Sequence, residues 1–423
     1  RVPITPEEPM WMSGFSGRTA PASTTSLELF AKALAIEDPR GHRAVLVTLD
    51  IVGLDRATTE AICSALEAKH GLRRDQVCLN CSHTHCGPVV GRNLWGMFMF
   101  DDAQWQLVDD YNQELREKVI AVVGEALAVR APATLQFATG SLDFAINRRT
   151  NPRKPDELAA QRAGGGLKGP SDHDLPVLTV AAEDGKLTAI VGLYACHATI
   201  LAFDQWSGDW PGYAQQHLER AHPGAIAMFV AGCGGDQAPW PREPETTERA
   251  DDYGRRFAAE VETVLRGKPR DVAGHLVTRY REIDLPLAAP PTRVELAEQV
   301  KSKNRFIAHR ATVELSQLDR GDALPTSYPY PVQVWRLGDE LRFVALGGEV
   351  VVDYALRIKR ELGADRTWVA GYSNDVMAYI PSERVLAEGG YEGATSMMYY
   401  GLPTTWAPGL EQLIDREVRR QAK

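Results

Sequence analysis

The chain has 423 residues, 44% of them hydrophobic and 24% charged, the composition of an ordinary folded protein in water. Its net charge of −9 argues against a nucleic-acid or anionic-membrane partner, because both need clustered Lys and Arg. No window reaches the roughly 18 apolar residues of a transmembrane helix, and six cysteines are too few for a disulfide scaffold.

Along the chain, residues 43–52 predict a buried strand and 58–70 a helix, with Gly71 as its C-cap. A second strand leads through Gln76-Val77-Cys78-Leu79-Asn80 toward His83. Cys78 and Cys81 have zinc-site spacing, but no second pair follows, and buried free thiols on opposite strand faces are the expectation. Residues 102–129 predict a long amphipathic helix, and 150–175 a surface loop or flap. Strands at 178–182 and 187–194 flank Asp184-Gly185, and strands at 333–336 and 340–346 flank Gly338-Asp339, both hairpin signals. Helices are expected over 211–222, 350–362 and 410–421, and a strand over 225–231. No internal repeat or clean linker appears, so the pattern predicts one large mixed α/β domain over 1–423. Central mixed sheets would be flanked by helices, with functional residues at strand ends.

Ser82-His-Thr-His-Cys-Gly-Pro88 places two histidines two apart at a strand end. Alternation on a strand would turn His83 and His85 to one face, as a metal site or as a hydrogen-bonded structural pair. His197 ends an apolar strand among small residues, where a satisfied core histidine is the alternative. Ala231-Gly-Cys-Gly-Gly-Asp-Gln-Ala-Pro239 is a glycine-rich turn after a strand, able to bring backbone close to a ligand. It lacks the Gly-Lys-Ser/Thr of a phosphate loop. Glu349 in Leu346-Gly-Gly-Glu-Val-Val351 follows a strand and opens a helix, where a carboxylate suits the helix dipole. Tyr379 and Tyr391 stand twelve residues apart, and each alone reads as core. Trp95, Met97, Phe98, Phe100, Trp206, Trp210 and Trp240 could wall an apolar pocket or fill an ordinary core.

In combination these motifs resemble the neutral (neutral/alkaline, non-lysosomal) ceramidases, from Ile4-Thr-Pro-Glu near the start to about Gly401. The resemblance implies one Zn²⁺ per chain held by His83, His197, Glu349 and Tyr379, with His85 beside it as the proton carrier. It implies Arg148, in Asn147-Arg148, near the centre, and Tyr391 at the substrate. Asp236 is the alternative base, or an orienter of a zinc-bound histidine; a plain turn residue is its other reading. Arg148, Tyr391 and the amides of Gly234 and Gly235 are candidate donors to a developing oxyanion. Trp95 and Asp209 are candidate substrate contacts, Asp209 alternatively capping the helix that follows. The implied reaction is hydrolysis of an amide (N-acyl) bond by a metal-activated water, whose pKa falls from about 15.7 to roughly 7. An esterase or lactonase on the same centre, or a decayed ligand-binding relative, are the other readings. The implied partner is a small acyl-amide or ester substrate.

Ala238 stands where the family carries a catalytic serine, which argues against a serine nucleophile and for a relative that is not itself a ceramidase. The family's C-terminal immunoglobulin-like domain has no counterpart in these residues. The family, with Arg1 in place of a starting Met, implies a secreted or periplasmic protein.

Overall fold

The computed structural model describes residues 1–152 and 154–423. Among them are three larger sheets and two short two-stranded ladders, with helices packed around them, the mixed α/β arrangement expected. The first sheet runs Val2–Pro3, Phe30–Glu37, Arg43–Leu49, Val77–Cys81. The second runs Arg270–Val272, Ala133–Ser141, Asp174–Ala182, Leu187–Tyr194, Ile226–Ala231. The third runs Leu276–Pro286, Ser327–Leu337, Leu341–Leu346, Thr367–Ala370.

In each larger sheet the last two strands are parallel. Parallel neighbours need a crossover connection, and each crossover here carries a helix: Arg56–His70, Asp209–Ala221 or Val352–Leu362. The first of these starts on the Asp55 carboxylate, which accepts from Thr58 N at 2.9 Å, and stops at Gly71 in the left-handed conformation. Both faces of such strands are covered. Val45, Val47 and Leu49 enter one apolar core, and Ala44, Leu46 and Cys78 enter another, so the sequence reads as an unbroken apolar run. Cys78 and Cys81 fall on opposite sides, and all six thiols are buried and free.

The carboxyl ends of the three parallel pairs meet. Thr84 bridges to Ala198, Gly232 to Ala370, and Asn80 to Ser373, joining each pair to the other two. Asn80 is the buried hub. Its Oδ1 accepts from Ala231 N at 2.9 Å, and its Nδ2 donates to Gly371 O at 2.8 Å and Ser373 Oγ at 3.0 Å. An amide can sit there because both its ends are bonded.

Three local expectations change. The segment 150–175 contains a helix, Pro155–Ala163, started by a proline at its first position. The helix expected over 211–222 begins at Asp209. Glu349 does not open a helix: Glu349–Val350 pairs parallel with Tyr379–Ile380, and the helix starts at Val352.

Candidate active site

The site lies where the three parallel pairs converge. His83 follows the first, His197 the strand Leu187–Tyr194, and Glu349 the strand Leu341–Leu346. The strand before His83 ends at Cys81, and His83 itself has a left-handed backbone with φ 61°. Strand alternation therefore does not bring the two histidines together. The turn does, leaving His85 Nε2 3.2 Å from His83 Nε2. One nitrogen from each of His83, His85 and His197 lies within 4.8 Å of the others, a buried group able to hold a metal ion.

Hydrogen bonds fix two of these rings. His83 Nδ1 lies 2.7 Å from Val52 O, and His197 Nδ1 lies 2.6 Å from Gly234 O. A carbonyl only accepts, so each Nδ1 carries the hydrogen and each Nε2 presents a lone pair. Both lone pairs face Glu349 Oε2, at 3.0 Å from His83 and 3.1 Å from His197. That oxygen is buried and has no hydrogen-bond donor. Acceptors crowded together without a proton between them fit a cation at their centre.

The electrostatics agree. Burial, with Arg148 nearby, pushes His197 down to about 4, even though the adjacent Glu349 carboxylate acts the other way. Burial and the two neighbouring histidines hold His85 well below an ordinary imidazole. Burial alone would raise the Glu349 carboxyl, but His83 and His197 outweigh it and hold it well below the usual carboxylate range. Near neutral pH, His85 and His197 are therefore neutral and Glu349 is ionised. Because His197 is depressed, its ligand form persists below pH 6.5 and is lost only as pH falls through about 4. If His197 holds a metal ion, the ion is expected to survive dialysis at pH 5, measured as metal per chain at stepped pH. Release centred near pH 6.5 would contradict this.

Tyr379 is the register partner of Glu349, and its hydroxyl lies 3.4 Å from His197 Nε2. Arg148 donates to that hydroxyl at 2.9 Å through one terminal nitrogen and to Glu392 through Nε at 2.9 Å. Its guanidinium also lies over the rings of Tyr379 and Tyr391. Tyr391 is 40% exposed, with its ring 5.3 Å from that of Tyr379, at the mouth of the site. Trp95 is half-buried against His309 and leaves no room for a side chain at Gly401.

Other candidates take different roles. The Gly234 and Gly235 amides already donate to Gly232 O and Val350 O, both at 2.8 Å, so neither is free for an oxyanion. Gly234 instead supplies the carbonyl that orients His197. Asp236 does not touch the histidines. Its carboxylate accepts from Asn147 Nδ2 at 2.7 Å and Val352 N at 2.9 Å, and burial raises it to about 6. Asp209 is buried, its carboxylate bound by the amides of Ile200, Leu201 and Trp210, so it anchors the loop after His197 rather than a substrate. Trp206 and Trp210 are core, and Trp210 Nε1 donates to His197 O at 2.9 Å. Ala238 lies in the short strand Gln237–Pro239 opposite Ile146 and brings no hydroxyl.

Two residues emerge only in three dimensions. Tyr400 donates its hydroxyl to Glu349 Oε1. Tyr372, with φ 49°, sets its ring 4.4 Å from that of His83. If Glu349 holds a metal ion, Tyr400→Phe is expected to lower metal affinity by about 10- to 100-fold, the usual loss for a partner that orients a ligand. Titration with a competing chelator checks this, and unchanged affinity would exclude the role.

The family model described as neutral/alkaline non-lysosomal ceramidase, N-terminal, matches residues 5–249, and the chain belongs to that family. Among solved structures, neutral ceramidase from Pseudomonas aeruginosa superposes with a TM-score of 0.76 at 22% identity, over 99% of this chain and 72% of that one. A ceramidase complexed with C2 gives a TM-score of 0.74 at 20% identity, over 99% of this chain and 73% of that one. At such identities the likeness is one of fold. No curated protein matches the chain.

Proposed function

We propose that residues 1–423 form a zinc-dependent hydrolase that cleaves an amide (N-acyl) bond with a metal-activated water, one ion per chain. The observation that carries this is the pair of imidazole lone pairs aimed at a buried carboxylate oxygen that no donor satisfies. His83, His197 and Glu349 would hold the ion, with Tyr379 as the fourth ligand. A cation there supplies Lewis-acid polarisation of the carbonyl and acidifies the attacking water.

The chain's own residues do the rest. Neutral His85 has a lone pair to take the proton that water loses as it attacks, and can return it to the leaving nitrogen as the C–N bond breaks. Arg148 holds Tyr379 in place and brings positive charge to the side where the carbonyl oxygen becomes negative. Glu392 fixes Arg148, so the guanidinium cannot swing out. Tyr391, exposed beside Tyr379, would meet the acyl substrate at the entry, and Trp95 remains a candidate contact.

One observation favours an ester or lactone substrate on the same centre. The depressed pKa of His85 makes its protonated form scarce, and an alkoxide leaves with less help from an acid than an amine does. Metal content per chain, followed by turnover of matched amides and esters before and after chelation, tests both readings. About one zinc and chelator-sensitive turnover would support the hydrolase, and the better substrate names the bond. Protein that holds zinc but turns over neither class would refute it.

A further inference from the structure

At the far end of the third sheet, three arginines gather with no carboxylate in contact. Arg336 and Arg342 are register partners on adjacent antiparallel strands, and Arg342 N donates to Arg366 O at 2.7 Å. Like charges directly opposite on a sheet are destabilising. Each of the three has a buried Nε without a hydrogen-bond partner. The nearby carboxylates are committed elsewhere or stand off. Asp365 pairs with Arg270 at 3.1 Å, Glu340 accepts from Asp339 N at 3.1 Å, and Asp339 and Asp365 reach Arg342 only through longer-range attraction. Among the described residues, the one hydrogen bond from these guanidiniums is Arg342 to Leu362 O, 2.9 Å, at the end of the helix Val352–Leu362. Burial, then Arg366 and Arg336, lower the Arg342 guanidinium from its ordinary value, against a weaker opposing pull from Asp339 and Asp365. In a chain of net charge −9, a half-buried cluster of three cations with no carboxylate in contact is a liability unless an anion fills it.

We propose that Arg336, Arg342 and Arg366 form a binding site for a phosphate group, separate from the hydrolytic centre. Guanidinium forks match tetrahedral oxyanions in bidentate geometry, and a doubly charged phosphate neutralises most of the cluster. The strand Leu341–Leu346 runs from this site toward Glu349, so the two lie roughly 20 Å apart along it.

The test is calorimetric titration of the full chain with inorganic phosphate at low ionic strength, against sodium chloride of equal ionic strength. A parallel arm measures co-sedimentation with phosphatidylcholine vesicles, with and without phosphatidic acid. Saturable phosphate binding identifies a free phosphate compound as the ligand. Binding confined to phosphatidic acid vesicles identifies a lipid headgroup. In either arm, Arg336→Gln and Arg366→Gln should each weaken binding at least tenfold. Neither side chain donates a hydrogen bond within the fold, and each substitution removes a like charge, so both variants should melt no lower than wild type. No binding in either arm, chloride matching phosphate, or affinity unchanged in both variants would overturn the proposal.

Discussion

Replacing His197 with alanine is expected to release the metal and cut turnover by more than the roughly 10- to 100-fold that follows loss of an outer-shell partner. The imidazole bridges two other members of the proposed ligand set. Its Nε2 faces Glu349 at 3.1 Å and the Tyr379 hydroxyl at 3.4 Å, while Nδ1 is anchored on Gly234 O. Alanine would remove one of the two imidazole nitrogens that face the buried Glu349 oxygen, leaving a proposed metal set one donor short. Metal per chain and amide turnover, measured on the same preparation, check the result. Ala238→Ser is the control and should leave metal content unchanged, since Ala238 sits in the neighbouring ladder. A metal-free His197→Ala protein with full activity would sink the proposed mechanism.

Gly235→Ala is expected to destabilise the fold by about 3 kcal/mol, the upper end for forcing a methyl into packed surroundings, and to reduce metal occupancy with it. The backbone at Gly235 is not left-handed, so the effect is purely one of space. An added Cβ would lie 2.5 Å from Glu349 O and 2.9 Å from Val350 O. These are main-chain atoms in the ladder that also carries Tyr379, and they cannot swing aside as a side-chain tip would. Either the turn or the Glu349 strand must move, and both belong to the site. Gly17→Ala is the matched control, because a Cβ there meets nothing within 4 Å. Urea unfolding midpoints and metal analysis read the two effects, and a Gly235→Ala protein indistinguishable from wild type would show that the turn yields freely.

Much of the architecture is legible in residue order. Apolar runs, the Gly71 stop and the Asp184-Gly185 and Gly338-Asp339 turns are local signals, and the strands and helices beside them fall where these signals point. The helices Thr247–Leu265, Arg293–Gln299 and Arg305–Asp319 lie outside the predicted elements, although Thr246, Thr292 and Asn304 cap them. Within the site, residue types are legible but reasons are not. His83 and His85 do meet, through a left-handed turn rather than strand alternation. Glu349 and Tyr379 read as separate signals, and only the fold makes them register partners. The glycines of the 232–235 turn suggest an approach to ligand, yet the close approach at Gly235 is to the Glu349 main chain. Tyr400 sits in a Met-Met-Tyr-Tyr run with no spacing that marks it, and Asn80 reads as one polar residue in a strand. Partners of this kind are set by tertiary contact, which periodicity does not encode.

The triangle of bridges around Asn80 has a consequence for how the chain becomes active. Each of its three corners supplies one ligand of the proposed set, and those ligands lie far apart in sequence. Long loops must close before any two of them meet, an ordering cost that local structure does not repay. The ion can therefore bind tightly only after all three corners have docked, and its binding energy then adds to the stability of the docked state alone. With the proposed metal centre, uptake of the ion would become a proofreading step for assembly: a chain with one misplaced corner would stay inert, with no half-built centre to act on the wrong substrate.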